Sequence, residues 1–268
     1  DLSLHWIDDH GGDEGYTVGE ASVSGEVREL DVSWLSGSVT VELTDGDAVT
    51  LREEPQPESS DARMRWKLQD GKLTVYSQKS GLTIPTRAKQ LTIGIPAGRA
   101  GKLQKLSLDL SAASASLPAL TLRELELDSV SGSVTLTGGS YENLDFDSTS
   151  GDLTVTDAAV GELSADTTSG SLTLDGAFET IDFDTTSGAL HLTTSILPQD
   201  ISCDTVSGGV TLTLPENGGF SATLDSVSGD LTVDGFAGSL HRDEFVYGQG
   251  GPAYEFDSVS GDVHIRCA

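Results

Sequence analysis

The stretch DSVSGSVTLTGGSYENLDFDSTSGDLTVT (residues 128–156) holds the phrase Asp-Ser-x-Ser-Gly twice, 19 residues apart. The phrase recurs along the chain as DSVSG (128–132), DSTSG (147–151), DTTSG (166–170), DTTSG (184–188), DTVSG (204–208), DSVSG (225–229) and DSVSG (257–261). Its glycines are spaced by 19, 19, 18, 20, 21 and 32 residues. Upstream, DLSAA (109–113) keeps the register with Ala113 in the glycine place, and WLSGSVTV (34–41) repeats the Ser-Gly and the apolar-alternating run after it.

Alignment on the glycine produces apolar columns. Seven residues before it stand Leu125, Leu144, Leu163, Ile181, Ile201, Ala222 and Tyr254; five before it, Leu127, Phe146, Ala165, Phe183, Cys203, Leu224 and Phe256. Two and four residues after it come Val or Leu, then Leu, Val or Ile, from Val134 and Leu136 to Val263 and Ile265. Apolar residues alternating with polar ones have the period of a strand with one buried face. Each repeat therefore reads as strand, Ser-Gly turn, strand, corner. A unit of this size cannot bury its inner face alone, but copies stacked in register can, each column packing on itself about 4.8 Å above and below. The expectation is an all-β, single-domain parallel β-solenoid, or β-helix, with about 19 residues per rung. The crossover rule favours a right-handed coil.

Residues 106–268 are expected to form about eight regular rungs. Residues 1–105 read as irregular opening rungs of the same domain, with strands at 27–34, 38–43, 48–53, 72–77 and 89–96 and a polar, proline-containing loop at 53–63. The acidic start around Asp8–Glu14 reads as solvated and flexible. The last repeat carries extra residues at 236–252, read as a loop. Cys203 falls in a core column and Cys267 on another part of a rung two levels away, so two free thiols are expected.

Charge excludes several functions. Asp and Glu number 43 against 15 Lys and Arg, a formal net charge of -28. Nucleic acid and anionic membrane both require basic surface, so neither is an expected partner. No apolar run approaches the roughly 18 residues of a membrane span. The chain opens on Asp1 with no visible signal peptide, so either a removed leader or a trimmed chain is expected. From Glu124 to His241 there are 20 acidic residues and no Lys or Arg. That argues against the runner-up class, a polysaccharide-active β-helix enzyme, because a lyase on acidic polymer needs cations. Only 15 aromatic residues leave little surface for sugar stacking.

Two columns carry candidate chemistry. Asp128, Asp147, Asp166, Asp184, Asp204, Asp225 and Asp257 would stack about 5 Å apart and repel one another. Either each carboxylate accepts hydrogen bonds from its own turn, as an Asx motif, or the ladder holds Ca²⁺ or another hard cation between rungs. Ser131, Ser150, Ser169, Ser187, Ser207, Ser228 and Ser260 read as a hydroxyl ladder satisfying turn backbone, because no His or Lys accompanies them as a base. The turn glycine has a positive φ or admits close packing. His191 and His264 share an outward column of threonines. In the 236–252 loop, His241, Arg242, Phe245 and Tyr247 make a candidate recognition cluster; the alternative is a cap over the end of the stack. No other cofactor is expected.

LDVSWLSGSVTVE (30–42), LTIGIPAG (91–98), the serial Asp-Ser/Thr-x-Ser-Gly units and GQGGPAYEFDSVSGDVHI (248–265) together resemble the bacterial putative-adhesin family, a domain of unknown function in cell-envelope proteins. The resemblance spans nearly the whole chain. It implies a β-helix-like fold, a non-catalytic role as adhesin or binding module, and an extracellular or envelope location, often behind a membrane anchor. Its partner would be a surface protein or glycan; a stalk or scaffold spacing a membrane-anchored protein is the alternative. It also makes residues 248–265 the closing rung, which favours the capping reading of the loop before them.

Overall fold

The computed structural model describes residues 12–82 and 87–268, and the described chain is all-β apart from short 3-10 turns at Ser60–Ala62 and Ala97–Lys102. His5, His10 and most of the acidic start lie outside the described residues. Successive repeats pair in parallel, each column residue opposite its own counterpart, as in Leu125–Leu144–Leu163–Ile181–Ile201. The four apolar columns are buried at every repeat, with Val233 alone only partly so.

Ten rungs can be followed through the described residues. The first is Lys72–Tyr76 with Lys89–Pro96, the second is the long strand Glu29–Thr44, and the third is Lys105–Leu117. Thr121–Ser129 with Val134–Thr137 forms the fourth. The fifth to eighth come in chain order, from Ser140–Ser148 to Val210–Leu214. Chain order then breaks. Ala253–Ser258 pairs with both Asp200–Thr205 and Gly219–Ser226, and Val263–Cys267 pairs with both Val210–Leu214 and Leu231–Asp234. The last repeat in sequence is thus the ninth rung, and the repeat before it is the tenth. The family-like closing segment ends the chain but not the stack. The same inversion occurs at the other end, where Glu29–Thr44 lies inside the later Lys72–Pro96 rung.

A stack of parallel rungs leaves an unpaired edge at each end, a template for aggregation unless covered. Here antiparallel strands cover much of both. Arg65–Gln69 lies on Lys72–Tyr76, and Val49–Glu54 on Lys89–Pro96. At the far end Glu244–Gly248 lies on Gly219–Ser226, with Ser239–His241 outside it. Residues 236–252 are therefore a hairpin rather than a loop. Phe236, Phe245 and Tyr247 surround Phe220, with ring centroids 5.0, 5.7 and 5.9 Å from it. The strand Arg65–Gln69 escaped the sequence reading, although Asp70-Gly71 after it, both at positive φ, is a standard hairpin turn.

The first rung is locked from within. Lys89 Nζ donates to Glu53 Oε2 and to the Ala62 carbonyl, both at 2.8 Å, and to the Ser77 carbonyl. The Met64 N–H donates to both Glu53 oxygens at 3.1 Å. Burial lowers the Lys89 pKa, and the Glu53 carboxylate opposes that shift. All three ammonium protons are used, so the group is structural. Cys203 and Cys267 are free, as expected, but on adjacent rungs rather than two levels apart, because the last rung is inserted.

Candidate functional site

The Asp-Ser/Thr-x-Ser-Gly turns line up along one edge, and each position has its own duty. The hydroxyl next after the Asp closes the turn. Ser148, Thr185, Thr205, Ser226 and Ser258 accept the N–H of the glycine three residues on, at 2.5–2.8 Å. Ser129, Ser148 and Thr167 also donate to that glycine's carbonyl at 2.6–2.9 Å. The Asx reading of the aspartates is thereby corrected: the turn N–H is satisfied by the next side chain, which is shorter, uncharged and directed inward.

The second serine of the phrase ties rung to rung. Ser131, Ser150, Ser169, Ser187, Ser207, Ser228 and Ser260 each donate from Oγ to a carbonyl of the adjacent rung at 3.1–3.3 Å. The glycine allows the rungs to close up. A Cβ on Gly170 would sit 2.1 Å from the Gly151 carbonyl oxygen, and one on Gly132 1.5 Å from that of Ala113. None of the seven has a positive φ, so close approach is the operative reason.

The aspartates are left facing outward. In stack order they run Asp109, Asp128, Asp147, Asp166, Asp184, Asp204, Asp257, Asp225. From Asp128 on they line an open trough of about 1100 Å³ with the neighbouring Ser and Thr residues and, toward the far end, Val206 and Val259. Among the described residues, none of these seven forms an ion pair with a basic side chain; on the strand of Asp128, Thr121–Ser129, Lys105 pairs instead with Glu124 and Glu126, at 3.1 and 2.6 Å. Partial desolvation in the trough, and then the charges of Asp147 and Asp109, push Asp128 up to about 6. Desolvation followed by like charge also raises Asp147, Asp184 and Asp257. Among the described residues, no three of His, Cys, Asp or Glu converge as a metal site would require.

The variable position of the phrase adds a feature the sequence reading passed over. Val206, Val259 and Val227 succeed one another in the stack and are exposed, the first two by about half and Val227 by 83%. The proposed recognition residues separate. Phe245 is buried in the hairpin's aromatic cluster and Tyr247 half-buried, while His241 and Arg242 stand exposed at its tip. On the opposite side of the turns, His264 Nε2 lies 2.8 Å from Asp234 Oδ2.

Comparison with known proteins agrees with this architecture. The model of the family described as Toastrack DUF4097 matches residues 27–266. A crystal structure of a "putative lipid binding protein" from Parabacteroides distasonis is similar at 15% identity and a TM-score of 0.56, covering 96% of this chain and 98% of that one. A "putative adhesin" from the same species is similar at 14% identity and a TM-score of 0.51, with the same coverage. At such identities the likeness concerns the fold. No curated protein matches the chain.

Proposed function

The chain belongs to the Toastrack DUF4097 family, and from that footing we propose that it is a non-catalytic binding module of the bacterial cell surface, of adhesin type. In this reading the ten rungs form one right-handed solenoid domain, about 43 Å long at 4.8 Å per step. A membrane anchor outside this chain holds it at the envelope. The observation that carries the reading is the trough: carboxylates from seven successive rungs stand open to solvent with no basic side chain among them. The repeat's hydroxyls support it from the other direction, because they are spent on backbone groups and, among the described residues, none is seen hydrogen-bonded to a His, a Lys or a carboxylate as a base. An acidic face on a strongly acidic protein steers cationic partners toward it and repels anionic polymers.

The test is binding to poly-lysine and to dextran sulfate across salt concentrations, with Asp147→Asn/Asp166→Asn/Asp184→Asn beside the wild type. The expected result is salt-sensitive binding to poly-lysine alone, weakened at least several-fold by the triple variant, which leaves most of the net charge in place. Equal binding by the variant, or binding to the sulfated polymer, contradicts the reading. A stalk role draws on a different observation. Thr17–Val18 lies at the first-rung end and Val263–Cys267 in the ninth rung, so the chain passes almost from end to end.

A further inference from the structure

Near the first rungs, on the side away from the Ser-Gly turns, the interior of the stack opens to solvent. The opening is a cavity of about 180 Å³ lined by Val27, Leu30, Val49, Ile95, Pro96 and Leu103. Leu30, Val49, Ile95 and Leu103 are otherwise buried core residues. In most of the stack the same interior space is filled by the apolar columns. Here the chain turns away through the 3-10 segment Ala97–Lys102 and leaves the space unfilled.

The mouth holds two cations, Arg99 and Lys102, and one carboxylate, Glu26, so its charge is net positive, opposite to that of the trough. Arg99 and Lys102 stand at the opening, both exposed, on a chain whose net charge is -28. Arg99 donates to the Ser24 carbonyl at 3.2 Å, which holds its guanidinium in place without neutralising it. Among the described residues, the ion pair of Lys102 is a loose one with Glu26, at 3.8 Å between exposed groups, and such surface pairs contribute little.

We propose that this cavity binds a single-chain anionic amphiphile, with the apolar chain in the cavity and its carboxylate or phosphate between Arg99 and Lys102. The size fits a short chain or the end of a longer one: an apolar cavity of about 150 Å³ accommodates benzene, so about six carbons fill this one. Burying that chain removes apolar surface from water on both partners. The two cations select the sign of the head group. The proposal is independent of the trough, which attracts the opposite charge.

The experiment uses octanoate, octyl phosphate and octyltrimethylammonium below their micellar concentrations, read by calorimetric titration and by Tm. The two anions are expected to bind and raise Tm by about 2 °C or more at saturation; the cation should do neither through this site. Arg99→Glu/Lys102→Glu changes only exposed side chains and should abolish the anion effect, while Val27→Trp should block the cavity for all three. No binding in the wild type overturns the proposal. So does cation binding that Val27→Trp removes, which would place it in this cavity rather than the trough, or anion binding that survives Arg99→Glu/Lys102→Glu. Flotation with phosphatidylglycerol vesicles then separates the sources: co-flotation lost in the charge variant identifies a bilayer lipid, and octanoate binding without flotation identifies a free acid.

Discussion

Within the repeated phrase, neighbouring residues have opposite effects on stability. Ser148 is needed by its turn, whereas Asp147 is a burden on the fold. Ser148→Ala should cost about 1–3 kcal/mol, because the Gly151 N–H loses its acceptor in a closed turn. The aspartates behave in reverse. A carboxyl whose folded pKa is raised stabilises the fold below its unfolded pKa, and that contribution is lost as pH rises through the folded value. For Asp128 the window runs from the ordinary 3.8 to about 6. Asp147, Asp184 and Asp257 shift in the same direction. Tm should therefore be higher at pH 5 than at pH 7.5. Asp128→Asn should raise Tm at pH 7.5 by about 2–4 °C and have a smaller effect at pH 4.5. A Tm that falls from pH 7.5 to pH 5, or a destabilising Asp128→Asn, would refute this. Gly170→Ala tests the close approach of rungs and should cost about 1–3 kcal/mol or more by denaturant unfolding, since its Cβ would meet the Gly151 carbonyl 2.1 Å away.

Among the elements, the end caps are where packing and sequence pattern part. The regular strands were legible because alternation at a fixed period has one solution, and every apolar column residue is buried except Val233, which packs against the core but stays partly exposed. The caps carry no period. The Arg65–Gln69 strand holds Arg65, Lys67 and Gln69, which do not look like core, yet it covers an edge by backbone pairing, with Trp66 and Leu68 packed partly against the core. The 236–252 hairpin looked like a loop because its strands are short, and its aromatics looked available because sequence does not show what they pack on. In the fold they lie against Phe220. Deleting residues 238–249 should consequently lower Tm and solubility; an unchanged fold that no longer attaches to cells or envelope polymer would return recognition to this hairpin. At the opposite cap, Glu53→Gln leaves the Lys89 ammonium buried without its countercharge, at a cost of about 3–5 kcal/mol by denaturant unfolding. The apolar cavity was invisible in the sequence for the same reason: Leu30 and Ile95 fall in expected strands, 27–34 and 89–96, and nothing in those stretches marks a gap between them.

At the scale of the whole molecule, the rungs that meet the ends of the stack are not the rungs at the ends of the chain. Spacing alone could not reveal this. The step from Gly208 to Gly229 is 21 residues, close to the regular period, yet the short Pro215–Gly218 connection climbs two levels instead of one. The long spacing after Gly229 lets the hairpin cross the open end before the chain returns to fill the gap. The trough depends on this order, because it places Asp257 between Asp204 and Asp225 and keeps the acidic row unbroken. Disulfide trapping tests the order most directly. In a Cys267→Ser background, Thr211→Cys/His264→Cys places thiols on adjacent rungs, about 4.8 Å apart along the stack, whereas Thr211→Cys/Thr232→Cys places them two rungs apart, beyond the roughly 7 Å that a disulfide spans. Mild oxidation should cross-link the first pair within the monomer and leave the second reduced. A cross-link in Thr211→Cys/Thr232→Cys and none in Thr211→Cys/His264→Cys would show that the rungs keep chain order, and would contradict the structure described above.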